Sequence, residues 1–150
     1  MKHPGFSLIL VITQFLLIAM LASPVHDLIS TRTMALIGAL LIIDGVYVAI
    51  WALISMPRGT FRVMPEPAAT AQLTQSGPYR WLRHPMYSAV LLAALGAAIS
   101  HATFGHSLIF LALIVVLLLK IHREEQYLLA TYNEYADYTT RTKALIPFIY

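Results

Sequence analysis

Apolar residues fall in four long stretches separated by shorter polar ones. Residues 6–22 are interrupted only by Ser7, Thr13 and Gln14, and residues 33–56 contain one ionisable group, Asp44. Residues 86–99 form a short run, and residues 104–121 are almost uniformly aliphatic after Ser107. A bilayer-spanning helix needs about 20 apolar residues, within a range of roughly 17 to 25. A shorter one crosses where the bilayer thins or neighbouring helices cover its ends. The pattern predicts an all-α protein, a polytopic membrane bundle of four transmembrane helices forming one domain over residues 1–150. The third and fourth runs are joined only by Ser100–Thr103, which reads as a tight helical hairpin. The first run follows Lys2 and ends in small residues, as a signal peptide would, but it exceeds the usual apolar length of about 7–15 residues. It reads as an uncleaved first helix.

Polar residues collect in two segments, Pro57–Pro85 and Lys120–Tyr150. Placing the first of these in the cytoplasm puts both termini there as well. Lys2, Arg58, Arg62, Arg80, Arg83, Lys120, Arg123, Arg141 and Lys143 then lie inside, nine of the ten basic residues, with Arg32 alone outside. Three or five spans would scatter these charges, so the positive-inside bias supports both the number of spans and their orientation. Pro57, Gly59, Pro65, Pro67, Gly77 and Pro78 predict a folded, turn-rich loop. In the tail, Tyr132, Tyr135 and Tyr138 recur among Asn133, Glu134 and Asp137. This spacing predicts an amphipathic helix, lying near the headgroups or packed on the end of the bundle.

Composition narrows the class. Charged residues make up 11% of the chain, against about 25% in an ordinary soluble domain, and the mean hydropathy is +0.72. Disorder and a nucleic-acid-binding face are excluded. The absence of cysteine excludes disulfides, thiolate metal sites and cysteine nucleophiles. A net charge of +3 suits contact with anionic headgroups of membrane lipids.

Three polar clusters could carry chemistry. In Gly77-Pro78-Tyr79-Arg80-Trp81-Leu82-Arg83-His84-Pro85-Met86-Tyr87, Pro85 suits the first position of a helix. Arg83 and His84 then sit at its positive end, where a carboxylate or phosphate binds; the same residues could equally be an aromatic and basic interfacial anchor. In His122-Arg123-Glu124-Glu125, adjacent carboxylates oppose the dipole at a helix C-terminus. Either a function retains them or neighbouring cations and solvent neutralise them. Arg141, in Tyr138-Thr139-Thr140-Arg141-Thr142-Lys143, reads as a tail that binds phosphate. Asp44 lies mid-span, where an acid is either functional or hydrogen-bonded at a helix contact, with Tyr47 or Gln14 as candidate partners.

The ordered set Gly77-Pro78-Tyr79, Arg83-His84-Pro85-x-Tyr87, an apolar hairpin, Glu124-Glu125, then Tyr138-x-x-Arg141-Thr142 and Leu145-Ile146-Pro147 resembles the isoprenylcysteine carboxyl methyltransferase and phospholipid methyltransferase superfamily of membrane enzymes. The resemblance covers about residues 73–150. It implies S-adenosylmethionine as methyl donor, in a pocket at the cytoplasmic end of the last two spans, closed by the tail. Carried over, Tyr79, Arg83, His84, Pro85, Tyr87, Glu124 and Glu125 line the cofactor, and Arg141 with Glu124 serves the reaction. Ala89 departs from a glycine common in the family. Members acting on prenylated proteins often have more spans. The implied acceptor is lipophilic, an isoprenylcysteine-type carboxylate or a phospholipid amine. Two other classes compete: a small transporter using Asp44, and a non-catalytic membrane partner that retains the fold.

Overall fold

The structure, a computed structural model, describes residues 4–23, 31–57 and 73–149. Arg58, Arg62, Pro65 and Pro67 of the polar linker, and His26, lie outside the described residues. The described chain is all-α: α1 Pro4–Leu21, α2 Arg32–Ser55, a 3-10 turn Gly77–Arg80, α3 Pro85–His101, α4 Phe104–Thr131 and α5 Tyr135–Arg141. α2 and α4 are long and apolar enough to cross a membrane; α1 and α3 are shorter apolar helices. α4 continues well past the apolar run that ends at Ile121, so its last turns carry the acidic pair.

Helix ends follow local chemistry. Thr31 caps α2 by accepting from the Met34 amide, and Thr103 caps α4 by accepting from the His106 amide. The α3–α4 hairpin turns through Ala102 in the left-handed region. Pro85 occupies the first turn of α3, where its missing N–H leaves nothing unsatisfied.

α2 packs on α3, α1 on α4, and α3 on α4. The buried positions of α2 are Gly38, Gly45 and Ala52, seven residues apart. A Cβ on Gly45 would lie 2.7 Å from the Ala89 carbonyl oxygen and 2.9 Å from the Ala93 amide nitrogen. Small residues thus let two backbones touch, the usual means of association where lipid removes the hydrophobic drive between helices. Leu21, Ala94, Ala98, Leu113 and Leu117 form the core of the bundle. Large apolar side chains cover its outside, including Leu40, Ile54, Leu111 and Val115, a surface suited to lipid rather than water.

Two of the three tyrosines of the tail repeat pack on the end of the bundle. Tyr135 and Tyr138 are buried against the bundle end on the seven-residue α5, while Tyr132 is half-buried before it. Beyond α5, Ala144 and Leu145 join Ile121 in a second apolar cluster.

Candidate functional site

The segment joining the 3-10 turn to α3 is held from both sides. Gly77 has φ +58°, and a side chain there would collide with Ser55 at the end of α2. The Ser76 hydroxyl donates to the Ser55 carbonyl at 3.1 Å. On the other side the tail runs alongside in a short parallel pairing centred on Leu82 and Lys143. The Arg83 amide donates to the Lys143 carbonyl at 2.7 Å, the His84 amide to Ala144 at 3.1 Å, and the Lys143 amide to Trp81 at 2.9 Å. The Tyr138 hydroxyl donates to the Tyr79 carbonyl at 2.6 Å, and the Ser88 hydroxyl to the Leu145 carbonyl at 2.6 Å. Burial pushes the Tyr138 phenol up to about 12, so it remains a donor throughout the physiological range. Backbone groups that would otherwise be orphaned are satisfied, and residues 79–88 are fixed in position.

The acidic pair of α4 reaches this segment. Glu125 accepts from Arg83 Nε at 2.6 Å and lies 3.3 Å from His84 Nε2. Arg83 also donates to the Thr142 carbonyl at 2.6 Å and to Thr139 at 3.4 Å. Burial on its own would raise the Glu125 carboxyl, but the hydrogen bonds from His84 and Arg83, with their charges, hold it down at about 2. Glu124 accepts from the Tyr87 hydroxyl at 2.9 Å and lies 3.6 Å from His84 Nδ1. The buried His84 ring therefore sits between two carboxylates and stacks on Tyr87 at 5.6 Å.

A cavity of about 270 Å³ opens on this constellation. Tyr79, Arg83, His84, Pro85, Met86, Tyr87 and Val90 form one wall; Lys120 and Glu124 of α4 form another. Gln14, Phe15 and Ile18 of α1 and Met56, just after α2, complete the lining. The Tyr79 hydroxyl is buried with no hydrogen-bond partner among the described residues, and burial, with Glu124 nearby, raises its phenol. Lys120 is buried, donates to Gln14 Oε1 at 2.5 Å, and lies 5.1 Å from the centre of the Tyr87 ring. A second, larger cleft of about 760 Å³ lies between α3, α4 and the tail, with Leu91, Leu95, Phe110, Ile114, Leu145 and Pro147 on its walls. Among the described residues no ionisable group lines it, so it suits an apolar chain more than an acid, a base or a charge.

Six of the eight residues singled out from the sequence line the cavity: Tyr79, Arg83, His84, Pro85, Tyr87 and Glu124. Glu125 stands behind it, tying Arg83 and His84 to α4. Arg141 is exposed at the end of α5 and is not on the cavity wall. Two residues were missed as site residues. Lys120 counted as a cytoplasmic charge and as one of the cations neutralising the acidic pair, not as part of the site, although it precedes Glu124 by one helical turn and so shares its face. Gln14 was a candidate partner for Asp44, yet it bonds Lys120. Asp44 is exposed on α2 and lies outside the cavity.

Comparison with known proteins adds two findings. The family model described as phospholipid methyltransferase matches residues 33–135. That range includes α2 from its second residue, α3, α4 and every cavity-lining residue except those of α1. Over 76 residues the chain is 34% identical to the cobalt-zinc-cadmium resistance protein CzcN of Cupriavidus metallidurans, a match covering 50% of this chain and 35% of that protein. The chain thus aligns with about a third of the length of this curated relative.

Proposed function

The chain belongs to the phospholipid methyltransferase family, and from that premise we propose that it transfers a methyl group from S-adenosylmethionine to a lipophilic, membrane-embedded acceptor. The observation that carries this reading is the convergence of Tyr79, His84, Tyr87 and Glu124 on one cavity. Four residues from two distant stretches of sequence meet there.

The donor set fits the cofactor. Its carboxylate, ammonium and ribose call for cationic or N–H donors, a carboxylate, and a further polar group. His84 and Lys120 supply the first, Glu124 the second, and the orphaned Tyr79 hydroxyl the third. When bound, the cofactor supplies an electrophilic methyl group on a sulfonium. Tyr87 presents a ring to a cation, as it already does to Lys120. Pro85 sets the first turn of α3, and Arg83 and Glu125 position the wall without needing to touch a ligand. This refines the role implied for Arg83, whose guanidinium is engaged with Glu125 and the tail carbonyls.

An amine acceptor must lose a proton from nitrogen before it attacks, and Glu124 is the cavity carboxylate able to accept it. A carboxylate acceptor needs no base, and Arg141 would orient it if the tail brought the guanidinium inward. Phe15 of α1, which is half exposed, and Met56, just after α2, give the cavity an apolar edge that suits an acceptor arriving sideways from lipid. Water is kept from the reacting atoms by the same apolar rim.

The reading includes one membrane domain with four spans and both termini cytoplasmic, supported by the nine-to-one split of basic residues. Reporter fusions after Ser30 and His101 are expected to read external and a fusion after Glu66 internal; an external signal at Glu66 overturns this topology. The activity is tested by incubating membranes with methyl-labelled S-adenosylmethionine and identifying the labelled product, alongside titration of the purified protein with S-adenosylhomocysteine. Label in a lipid extract supports the proposal. Absence of both binding and transfer refutes it, and binding without transfer to any lipid favours a non-catalytic partner.

A further inference from the structure

Two polar side chains meet inside the bundle at the cavity wall. Gln14 is 6% exposed and Lys120 1%, and the ammonium donates to Gln14 Oε1 at 2.5 Å. Burying an amide or an ammonium is costly unless each is paired. Gln14 lies on α1, wholly before residue 33, where the family match begins. A lysine at the end of an apolar run ordinarily extends its flexible stem to the membrane edge. Lys120 instead points into the bundle, its ammonium 5.1 Å from the centre of the Tyr87 ring. Glu124 follows one helical turn later on the same cavity wall.

We infer that Gln14 is a positioning residue for Lys120, and that the pair makes the cavity select the carboxylate end of the methyl donor. The inference rests on the methyl-transfer reading above and adds α1 to the site. Lys120 and Glu124 stand one turn apart on one face of α4, so the wall presents a cation beside an anion. That arrangement complements an α-amino acid, whose carboxylate and ammonium sit on a single carbon. Gln14 fixes the cationic half. Its oxygen holds the ammonium inward, on a helix that itself packs against α4. With an apolar side chain at residue 14 the ammonium loses that acceptor, and its stem is released to swing towards the membrane edge. A merely mechanical clamp between α1 and α4 would change stability but not the preference between ligands.

The test is calorimetry on the purified full chain with two ligands. One is S-adenosylhomocysteine; the other is its decarboxylated analogue, which keeps the adenosine, the thioether and the amine. The natural protein is expected to bind the first more tightly by roughly 10- to 150-fold, the range of a charge-assisted hydrogen bond. Lys120→Met should lower S-adenosylhomocysteine affinity by a similar factor. Gln14→Leu should lower it by roughly 2- to 12-fold, as loss of one ordinary hydrogen bond does. Neither variant should bind the analogue more weakly, which also shows that each is folded. In the Lys120→Met background Gln14→Leu should have no further effect, because its influence passes through the ammonium. An equal loss for both ligands in Gln14→Leu, no loss for either, or a further loss in the double variant would overturn the inference while leaving cofactor binding intact. Absence of binding by the natural protein would overturn the methyl-transfer reading and the inference with it.

Discussion

Arg83→Met removes the guanidinium that joins α4, the α3 entrance and the tail while keeping most of the side-chain volume. Three interactions go: the ion pair with Glu125 at 2.6 Å and the hydrogen bonds to the Thr142 and Thr139 carbonyls at 2.6 and 3.4 Å. A carboxyl held at about 2 instead of 4.5 contributes on the order of 3 kcal/mol at neutral pH, shared between Arg83 and His84. A charge-assisted bond to the Thr142 carbonyl adds about 1.5–3 kcal/mol. Because the pair is only partly buried, a total loss of about 3 kcal/mol is expected. Since the folded carboxyl lies below its unfolded value, its contribution is complete above about pH 4.5 and is lost as the pH falls towards 2. Without Arg83 the Glu125 carboxyl rises, so its contribution is smaller and is fully lost at a higher pH than in the natural protein. Hydrogen exchange at the Arg83, His84 and Lys143 amides, all paired between the two segments, reports tail docking directly. At pH 7 the variant should exchange there about 100-fold faster, as 3 kcal/mol requires. Unchanged protection at these amides, in a variant that is folded, would refute the role of this ion pair as the tail's anchor.

Three further outcomes are expected. His84→Ala and Glu124→Gln should each weaken S-adenosylhomocysteine binding by about 1.5–3 kcal/mol, measured by calorimetry; unchanged affinity in folded variants would separate the two clusters. Gly45→Val should drive α2 from α3, since even a Cβ meets the Ala89 carbonyl oxygen at 2.7 Å, with a cost of about 1–3 kcal/mol or more seen as a lowered Tm in detergent. Arg141→Ala should lower methyl transfer far more than cofactor affinity if the tail brings this exposed side chain to the acceptor, and Arg141→Lys should be impaired too; full activity in Arg141→Lys would leave it a phosphate-binding surface residue.

Much of this architecture is visible in the one-dimensional pattern. Apolar runs locate α1 to α4 because a helix that packs in an apolar bundle or spans a membrane needs continuous apolarity, and Pro85 and Thr103 mark helix starts because of what their backbone and side-chain groups can or cannot bond. The acids at 124 and 125 and the Arg83-His84 pair are legible as related because both break local rules that a compensating contact must repair. The tail pairing was not legible. A single extended bridge at Leu82 and Lys143 leaves no alternating pattern, and its strength comes from backbone groups that carry no sequence signal. Lys120 was misread for a different reason. Hydropathy treats a lysine at the end of an apolar run as a membrane-edge charge, whereas its direction depends on which helix packs against that turn, here α1 through Gln14.

The adjacency of Glu124 and Glu125 is itself informative. Neighbouring residues on a helix point about 100° apart, so two consecutive acids cannot serve one ligand equally. Here Glu125 turns towards Arg83 and the tail and is consumed by them, while Glu124 turns towards the cavity and keeps one oxygen on Tyr87. His84 spans the angle between them, with one ring nitrogen towards each. The structural acid thereby sets the orientation of the imidazole that the cavity acid uses, and closing the tail is coupled to arranging the cavity wall. Glu125→Gln should accordingly lower cofactor affinity through His84 without itself touching the cavity. Tail protection in the same variant should fall as well, and a variant in which one changes without the other would break that coupling.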